Sequence, residues 1–173
     1  MENIERRMTI GRPFITATED ENNVYLDGWE IPKGEATKDN DFGKRRRDII
    51  WEMYKIWKSE NPIGSVYNDK VKKNIFLNEI GVKETAAHAY VNYKNVMAFY
   101  CIDRVLTSAR HIKFSDLKSN TQKKEFKGGK MSQMIAKIAA KPYFGTVNVM
   151  VGVHRNDKRT FFSVTSIDVD VDK

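Results

Sequence analysis

A chain of 173 residues with one cysteine, Cys101, can bury a sizeable core but cannot form an internal disulfide or a metal site of several cysteines. No apolar run approaches the roughly 18 residues that span a bilayer, and no secretory signal begins the sequence, so we expect a soluble, cytoplasmic protein. The net charge of +7 is uneven, because residues 61–142 hold 15 basic and 6 acidic side chains. This excess favours RNA or an acidic protein partner, and lysines that only maintain solubility are the alternative.

The first 65 residues are predicted to form an N-terminal extension with one hairpin and one helix. Residues 23–26 and 29–32 flank an Asp-Gly pair, which is a turn sequence of tight β-hairpins. The polar, turn-rich surroundings suggest that the first 40 residues are loosely ordered. From residue 41 to residue 60 apolar side chains recur at helical spacing, and an Asn-Pro-Ile-Gly sequence then ends the predicted helix.

The start of this helix carries four consecutive cations, namely Lys44, Arg45, Arg46 and Arg47. The helix dipole disfavours positive charge at this end. Such a placement suggests that the cations bind phosphate or dock on an acidic partner. The alternative is a solvated basic turn whose charges pair with Asp48 and Glu52.

Residues 66–173 are predicted to form a second unit of the α+β class, with a small antiparallel sheet packed on one or two helices. The predicted elements are a strand at 71–80 that Gly81 ends, helices at 83–90, 95–111 and 131–140, and strands at 143–155 and 158–167. A polar loop at 112–130 contains Lys127 and Lys130, which are further candidates for binding nucleic acid. The helix at 95–111 should cover the sheet with its apolar stripe, formed by Phe99, Ile102, Leu106 and Ala109.

The two last strands have one apolar and one polar face. A turn centred on residues 156 and 157 would place His154 opposite Arg159 and Met150 opposite Ser163. The apolar face then carries Val147, Val149, Val151, Val153, Phe162 and Val164. The polar face carries Thr146, Asn148, His154, Arg159, Ser163 and Thr165. Hydroxyl, imidazole and guanidinium groups on one face suggest a surface that binds phosphate, and an ordinary solvated sheet face is the alternative.

His88 is the most suggestive of the three histidines. Lys83, Thr85 and His88 fall within about one and a half helical turns, so a cation, a hydroxyl and a group that titrates near neutral pH lie close together in the sequence. An exposed lysine beside a packed histidine is the alternative. These residue types suffice for metal-free RNA cleavage, in which the ribose 2′-hydroxyl attacks the adjacent phosphate.

A metal site is not expected. The three histidines lie far apart in the sequence, and no metal-binding histidine pattern is present. Asp168, Asp170 and Asp172 alternate near the C-terminus, and such a tail is more often solvated than bound to a cation.

Residues 71–167 resemble the polyvalent-protein-associated domains of phages and conjugative elements that have the barnase, EndoU, colicin and RelE-like nuclease fold. The resemblance depends on the strand 71–80 with Gly81, on the Lys83-x-Thr85-x-x-His88 cluster, on the helix 95–111 and on the closing hairpin 143–167. It implies metal-independent ribonuclease chemistry, for which we expect no cofactor. RNA is the expected partner, with an acidic protein partner or inhibitor as a further one.

The resemblance also implies which residues act. It points to Lys83, Thr85 and His88 on the first helix, with Arg159, Ser163 or Thr165 opposite them on the last strands. His154 is the alternative group for proton transfer. Some domains of this kind have lost activity, so a catalytically inactive module that binds nucleic acid or protein is the alternative function.

Overall fold

The computed structural model describes residues 15–26, 28–116, 130–141, 143–156 and 159–169. These residues form four helices and ten strands, so the predicted α+β class is confirmed. The strands make a seven-stranded mixed sheet and a separate three-stranded antiparallel sheet. The main sheet is therefore larger than the predicted antiparallel sheet, and it includes two parallel pairs.

The three-stranded sheet lies near the N-terminus. It consists of β2 (Thr18–Glu19), β3 (Asn23–Leu26) and β4 (Trp29–Pro32), and Leu26 pairs with Trp29 across the predicted tight turn. Gly28 in that turn has a φ of 88°, which glycine adopts without strain. The hairpin prediction is confirmed. The expectation of loose order is wrong for this hairpin, because both strands bury apolar side chains in the core, namely Val24, Leu26, Trp29 and Ile31.

The helix predicted at 41–60 is confirmed as α1 (Phe42–Glu60). Its apolar stripe is buried and includes Ile49, Ile50, Met53 and Trp57. The backbone N–H of Asn61 donates to the Trp57 carbonyl and closes the last turn. In the described part of the chain, neither α1 nor any other helix has the length and apolar character that crossing a membrane requires.

A hairpin occupies the region in which one strand at 71–80 was predicted. Its strands are β5 (Ser65–Asn68) and β6 (Lys73–Phe76). Helix α2 (Glu79–Val91) then begins earlier than predicted, because the Asn78 side chain accepts hydrogen bonds from the N–H groups of Ile80 and Gly81 and caps the helix. Gly81 therefore lies in the first turn of a helix and does not end a strand.

Two short helices replace the single helix predicted at 95–111. Helix α3 (Lys94–Tyr100) and helix α4 (Ile102–Ser108) are separated at Cys101, whose φ of −95° and ψ of 26° depart from helical values. The predicted stripe is buried at all four positions, Phe99, Ile102, Leu106 and Ala109. The strand β7 (Arg110–Asp116) follows directly, where a polar loop was predicted.

The helix predicted at 131–140 is wrong, because this segment forms the strand β8 (Lys130–Lys141). Its apolar residues do recur at helical spacing. However, β8 pairs along its length with β9 (Tyr143–Asn156), and it also pairs with β7 and with β1 (Ile15–Thr16). Pairing with distant strands overrides a local periodicity. Lys127 and the rest of 117–129 lie outside the described residues.

The predicted strands of the closing hairpin are confirmed as β9 and β10 (Arg159–Val169), but their register differs from the prediction. Arg159 pairs with Asn156, and His154 pairs with Phe161 rather than with Arg159. Ser163 pairs with Gly152 rather than with Met150. The predicted turn residues 157 and 158 lie outside the described part.

An irregularity between Val164 and Ser166 in β10 changes which residues share a face. Before it, Val164 pairs with Val151; after it, Ile167 pairs with Val149. Among the described side chains of this ribbon, those buried in the core are Val147, Val149, Val151, Val164, Ile167 and Val169. Phe162 is partly buried against the core, and the side chain of Val153 lies outside the described ones. Thr165 was predicted on the polar face, but it lies at the irregularity, so Ser166 and Asp168 take the next positions opposite β9.

A single hydrophobic core contains residues from both sides of the boundary predicted at residue 65. Trp29 and Trp57 of the N-terminal part belong to the same cluster as Phe99 and Val149 of the C-terminal part. The sheet strand β10 lies between β9 on one side and β6 on the other, where Phe162 and Ser163 pair in parallel with Ile75 and Phe76.

Candidate functional site

Helix α2 lies against the edge of β10, and Thr85 joins the two elements. Its side chain is fully buried. The Thr85 hydroxyl donates to the Gly81 carbonyl at 2.7 Å and accepts from the N–H of Ile167 at 3.1 Å. The single proton of this hydroxyl is thus used inside the protein. Thr85 has a structural position here and does not face solvent beside His88.

His88 lies one turn further along α2 and meets a carboxylate of β10. The Nδ1 atom of His88 is 3.9 Å from Oδ2 of Asp168, and the two side chains are 38% and 48% exposed. The Nδ1 atom itself is buried and makes no hydrogen bond. The exposed part of the ring is therefore the part that points away from Nδ1. Asp168 lies beside Nδ1, so Nε2 is the ring nitrogen that does not face this carboxylate.

The side chains around Asp168 on the sheet are half-buried, and all of them but Met150 are polar. Asp168 pairs with Asn148 across the ribbon, and Ser166 pairs with Met150. Each of these four side chains has intermediate exposure. His88 and Asp168 consequently stand at the C-terminal end of β10, beside the half-buried side chain of Asn148.

The structure does not bring the other predicted catalytic residues to this place. Lys83 is exposed, but five residues of helix separate it from His88 by about 140° around the axis, so the two side chains leave α2 in different directions. Ser163 is 93% buried, with an exposed fraction of 7%. The backbone positions of His154 and Arg159 lie toward the other end of the ribbon, about 20 Å and about 30 Å along the strands from Asp168. The side chain of Thr165 is not among those that the structure describes.

The basic turn at the start of α1 is not a cluster of four free cations. Arg46 is fully buried. Its guanidinium donates to four carbonyl oxygens, those of Ala89, Tyr90, Pro32 and Gly34, at 2.7 to 2.9 Å. Burial lowers the pKa of Arg46 below its ordinary value. Arg46 therefore fastens α1 to α2 and to the end of β4, and the prediction that it binds phosphate is wrong.

The other three cations of that turn are exposed, as predicted. Arg45 makes an ion pair of 3.4 Å with Glu52, in line with the alternative of a solvated turn. Arg47 lies over the Tyr90 ring at 5.8 Å from its centroid. Lys44 is exposed, and the side chain of Lys130 lies outside the described ones.

Cys101 is unsuited to act as a nucleophile. The thiol packs against the core, and its burial raises its pKa from 9.0 to about 12. The protonated thiol is a poor nucleophile near neutral pH. Within the described ranges, no three side chains of the His, Cys, Asp or Glu types group together in a way that could hold a metal ion.

The contact between Asp168 and His88 was not predicted from the sequence. The only signal at Asp168 was membership of an alternating acidic tail, which indicates nothing about a partner in a helix far away in the chain. Comparisons with protein-family models, with curated proteins and with solved structures found no match to this chain. The function is therefore inferred from the geometry of the site and from the excess of basic residues in the chain.

Proposed function

We propose that this protein is a metal-independent ribonuclease. In this proposal His88 takes the proton of the ribose 2′-hydroxyl, and Asp168 orients the His88 ring. The observation that carries the proposal is the His88 and Asp168 pair, half-exposed beside the polar end of the β9 and β10 ribbon. In this role the Asp168 carboxylate, 3.9 Å from the inner ring nitrogen of His88, orients the imidazole by a hydrogen bond that shortens when substrate binds. The excess of basic residues in 61–142 supports a polyanionic substrate.

The proposed reaction needs only groups of this kind. His88 removes the proton of a ribose 2′-hydroxyl, and the 2′-oxygen attacks the adjacent phosphorus. The bond from phosphorus to the 5′-oxygen breaks, and that oxygen takes a proton from a water molecule. The proton held by His88 then neutralises the resulting hydroxide. The products are a 2′,3′-cyclic phosphate and a 5′-hydroxyl end.

His154 stays the alternative centre, since it was predicted together with Arg159. The two histidine positions lie about 20 Å apart along the ribbon, so one phosphate cannot meet both. The presence of a carboxylate partner favours His88.

The test is cleavage of a labelled single-stranded RNA in EDTA, followed by analysis of the product ends. We expect cyclic-phosphate ends from the unmodified protein, a loss of rate of about 100-fold or more in His88→Ala, and a change of less than about threefold in His154→Ala. Asp168→Asn should lower kcat by about tenfold and leave KM unchanged, because Asp168 acts through His88.

Three outcomes would contradict the proposal in different ways. Loss of cleavage in His154→Ala but not in His88→Ala would move the active site to the other end of the ribbon. Cleavage that EDTA abolishes would exclude the metal-free reaction. Binding of RNA without any cleavage would show that the protein is the inactive binding module, the alternative that the sequence left open.

A further inference from the structure

The turn between β5 and β6 presents three lysines that the function described above does not use. Lys70, Lys72 and Lys73 are all exposed, whereas Val71 between them packs against the core. Among the described side chains, no carboxylate forms an ion pair with any of these three lysines. The one acidic residue of this turn is Asp69, which is also exposed.

The backbone of this lysine turn is held in one conformation. The buried Asn68 side chain accepts hydrogen bonds from the N–H groups of Lys70 and Val71, both at 2.8 Å. The same side chain donates to the carbonyls of Leu106 and Ala109 at 2.7 Å. Asn68 thereby fastens the turn to the end of α4.

Two further backbone contacts support this conformation. The Asp69 N–H donates to the Thr107 carbonyl, and the Lys72 N–H donates to the Asn68 carbonyl, each at 3.0 Å. Lys72 has a φ of 60°, a left-handed conformation that a lysine keeps only where its surroundings impose it. A charged turn that is already ordered loses less entropy when it binds a ligand.

The sheet register places two arginines beside the lysine turn. Ile75 of β6 pairs in parallel with Phe162 of β10. Two residues earlier on each strand, Lys73 therefore lies beside Thr160. Thr160 in turn pairs with Arg155 of β9. Arg159 is one residue further toward the same end. Neighbouring strands are about 4.8 Å apart, so the backbone positions of all five cations lie at one end of the sheet.

We propose that this basic sheet end, which holds the side chains of Lys70, Lys72 and Lys73 and the backbone positions of Arg155 and Arg159, binds the phosphate backbone of single-stranded RNA. The proposal rests on the proposed ribonuclease function and names the surface that holds the substrate. His88 stands beside the opposite end of the same ribbon, about 30 Å away along β10. One extended RNA strand can therefore lie on the basic sheet end and reach His88.

The test measures the salt dependence of binding with a fluorescent 2′-O-methyl RNA, which lacks the attacking hydroxyl and cannot be cleaved. The variant replaces Lys70, Lys72 and Lys73 by Gln. The matched control replaces three lysines outside the candidate binding residues, Lys38, Lys55 and Lys58, by Gln and changes the net charge equally. Losing three phosphate contacts should flatten the slope of log K against log salt by about 2, because each contact on a single strand contributes about 0.7.

The control should change this slope by less than about 0.5, and both variants should keep the far-ultraviolet circular dichroism spectrum of the unmodified protein. An equal flattening of the slope in the two variants would overturn the proposal, since it would show that only net charge matters. Equal competition by polyglutamate at the same concentration of negative charge would also overturn it, in favour of an acidic protein partner.

The result separates this proposal from the ribonuclease function. If the lysine-turn variant loses the salt dependence but the unmodified protein never cleaves RNA, the binding surface stands and the proposed catalysis fails. If cleavage depends on His88 while the lysine-turn variant binds with an unchanged slope, the catalysis stands and the binding surface is wrong.

Discussion

The side-chain amide of Asn95 donates a hydrogen bond to the backbone carbonyl of Ile167, 3.3 Å away in the interior. Its oxygen accepts from the N–H of Val169 at 2.8 Å. One buried amide thus satisfies two backbone groups of β10, as the peptide group of a neighbouring strand does. Beyond its two paired residues with β6, the edge of β10 is completed by side chains from α2 and α3. This arrangement brings the end of α2, and therefore His88, to Asp168.

The first prediction concerns Asn95. Asn95→Ala should lower the free energy of unfolding by about 2–4 kcal/mol, because it leaves a buried carbonyl and a buried N–H without partners. Urea denaturation measures the change, and Asn74→Ala, at an exposed position of β6, should stay within about 0.5 kcal/mol. Equal stabilities for the two variants would show that Asn95 does not complete the sheet edge.

The next prediction concerns the sign of the change in stability that Gly81→Ala causes. A Cβ atom at this position would overlap the carbonyl oxygen of Val164, which is backbone and has little freedom to move. Helix propensity alone would make Gly81→Ala stabilising by up to about 1 kcal/mol, whereas we expect a loss of about 1–3 kcal/mol. Ala87→Gly, at an exposed position of the same helix, is the control and should lose about 1 kcal/mol. A stabilised Gly81→Ala protein would contradict the close approach of α2 to β10.

Arg46 is expected to act as a structural residue. Arg46→Met keeps a long side chain but leaves four carbonyl oxygens without their donor, so it should lower the unfolding free energy by about 3 kcal/mol or more. Arg45→Met, which removes only an exposed ion pair, should change it by less than about 1 kcal/mol. Thermal and urea unfolding of both variants measure the difference. If Arg46→Met is no less stable than Arg45→Met, the buried guanidinium does not hold the helices together.

The raised pKa of Asp103 predicts that the free energy of unfolding depends on pH. Burial raises the pKa of this carboxyl above its ordinary value, although Trp57 donates a hydrogen bond to it at 2.9 Å. The folded protein therefore holds this proton more tightly than the unfolded chain does, so the contribution of Asp103 to stability is lost as pH rises through its folded pKa. Asp103→Asn keeps an oxygen that accepts from Trp57 and has no proton to lose.

Urea unfolding between pH 3 and pH 7 tests this prediction. Asp103→Asn should gain stability relative to the unmodified protein as pH rises, and the two proteins should converge at the acid end. A difference that does not vary with pH would show that the Asp103 carboxyl has the same proton affinity in the folded and unfolded chains.

The sequence could predict the elements whose signal is contained in one short segment. The helix at 42–60 follows from apolar spacing and a stop sequence, and the hairpin at 23–32 follows from its Asp-Gly turn. The strands β9 and β10 follow from alternating valines. The α+β class required only these local patterns, because each pattern buries its apolar residues on one side whatever the rest of the chain does.

The tertiary structure alone decided which segments meet. It made β8 a strand, since pairing with β9 along its length outweighs a helical spacing of apolar residues. It buried Arg46 under carbonyls from two other segments, and it shifted the ribbon so that His154 faces Phe161 and not Arg159. Such contacts depend on the relative positions of distant parts of the chain, which no local pattern encodes. The meeting of His88 with Asp168, on which the candidate site depends, is of this kind.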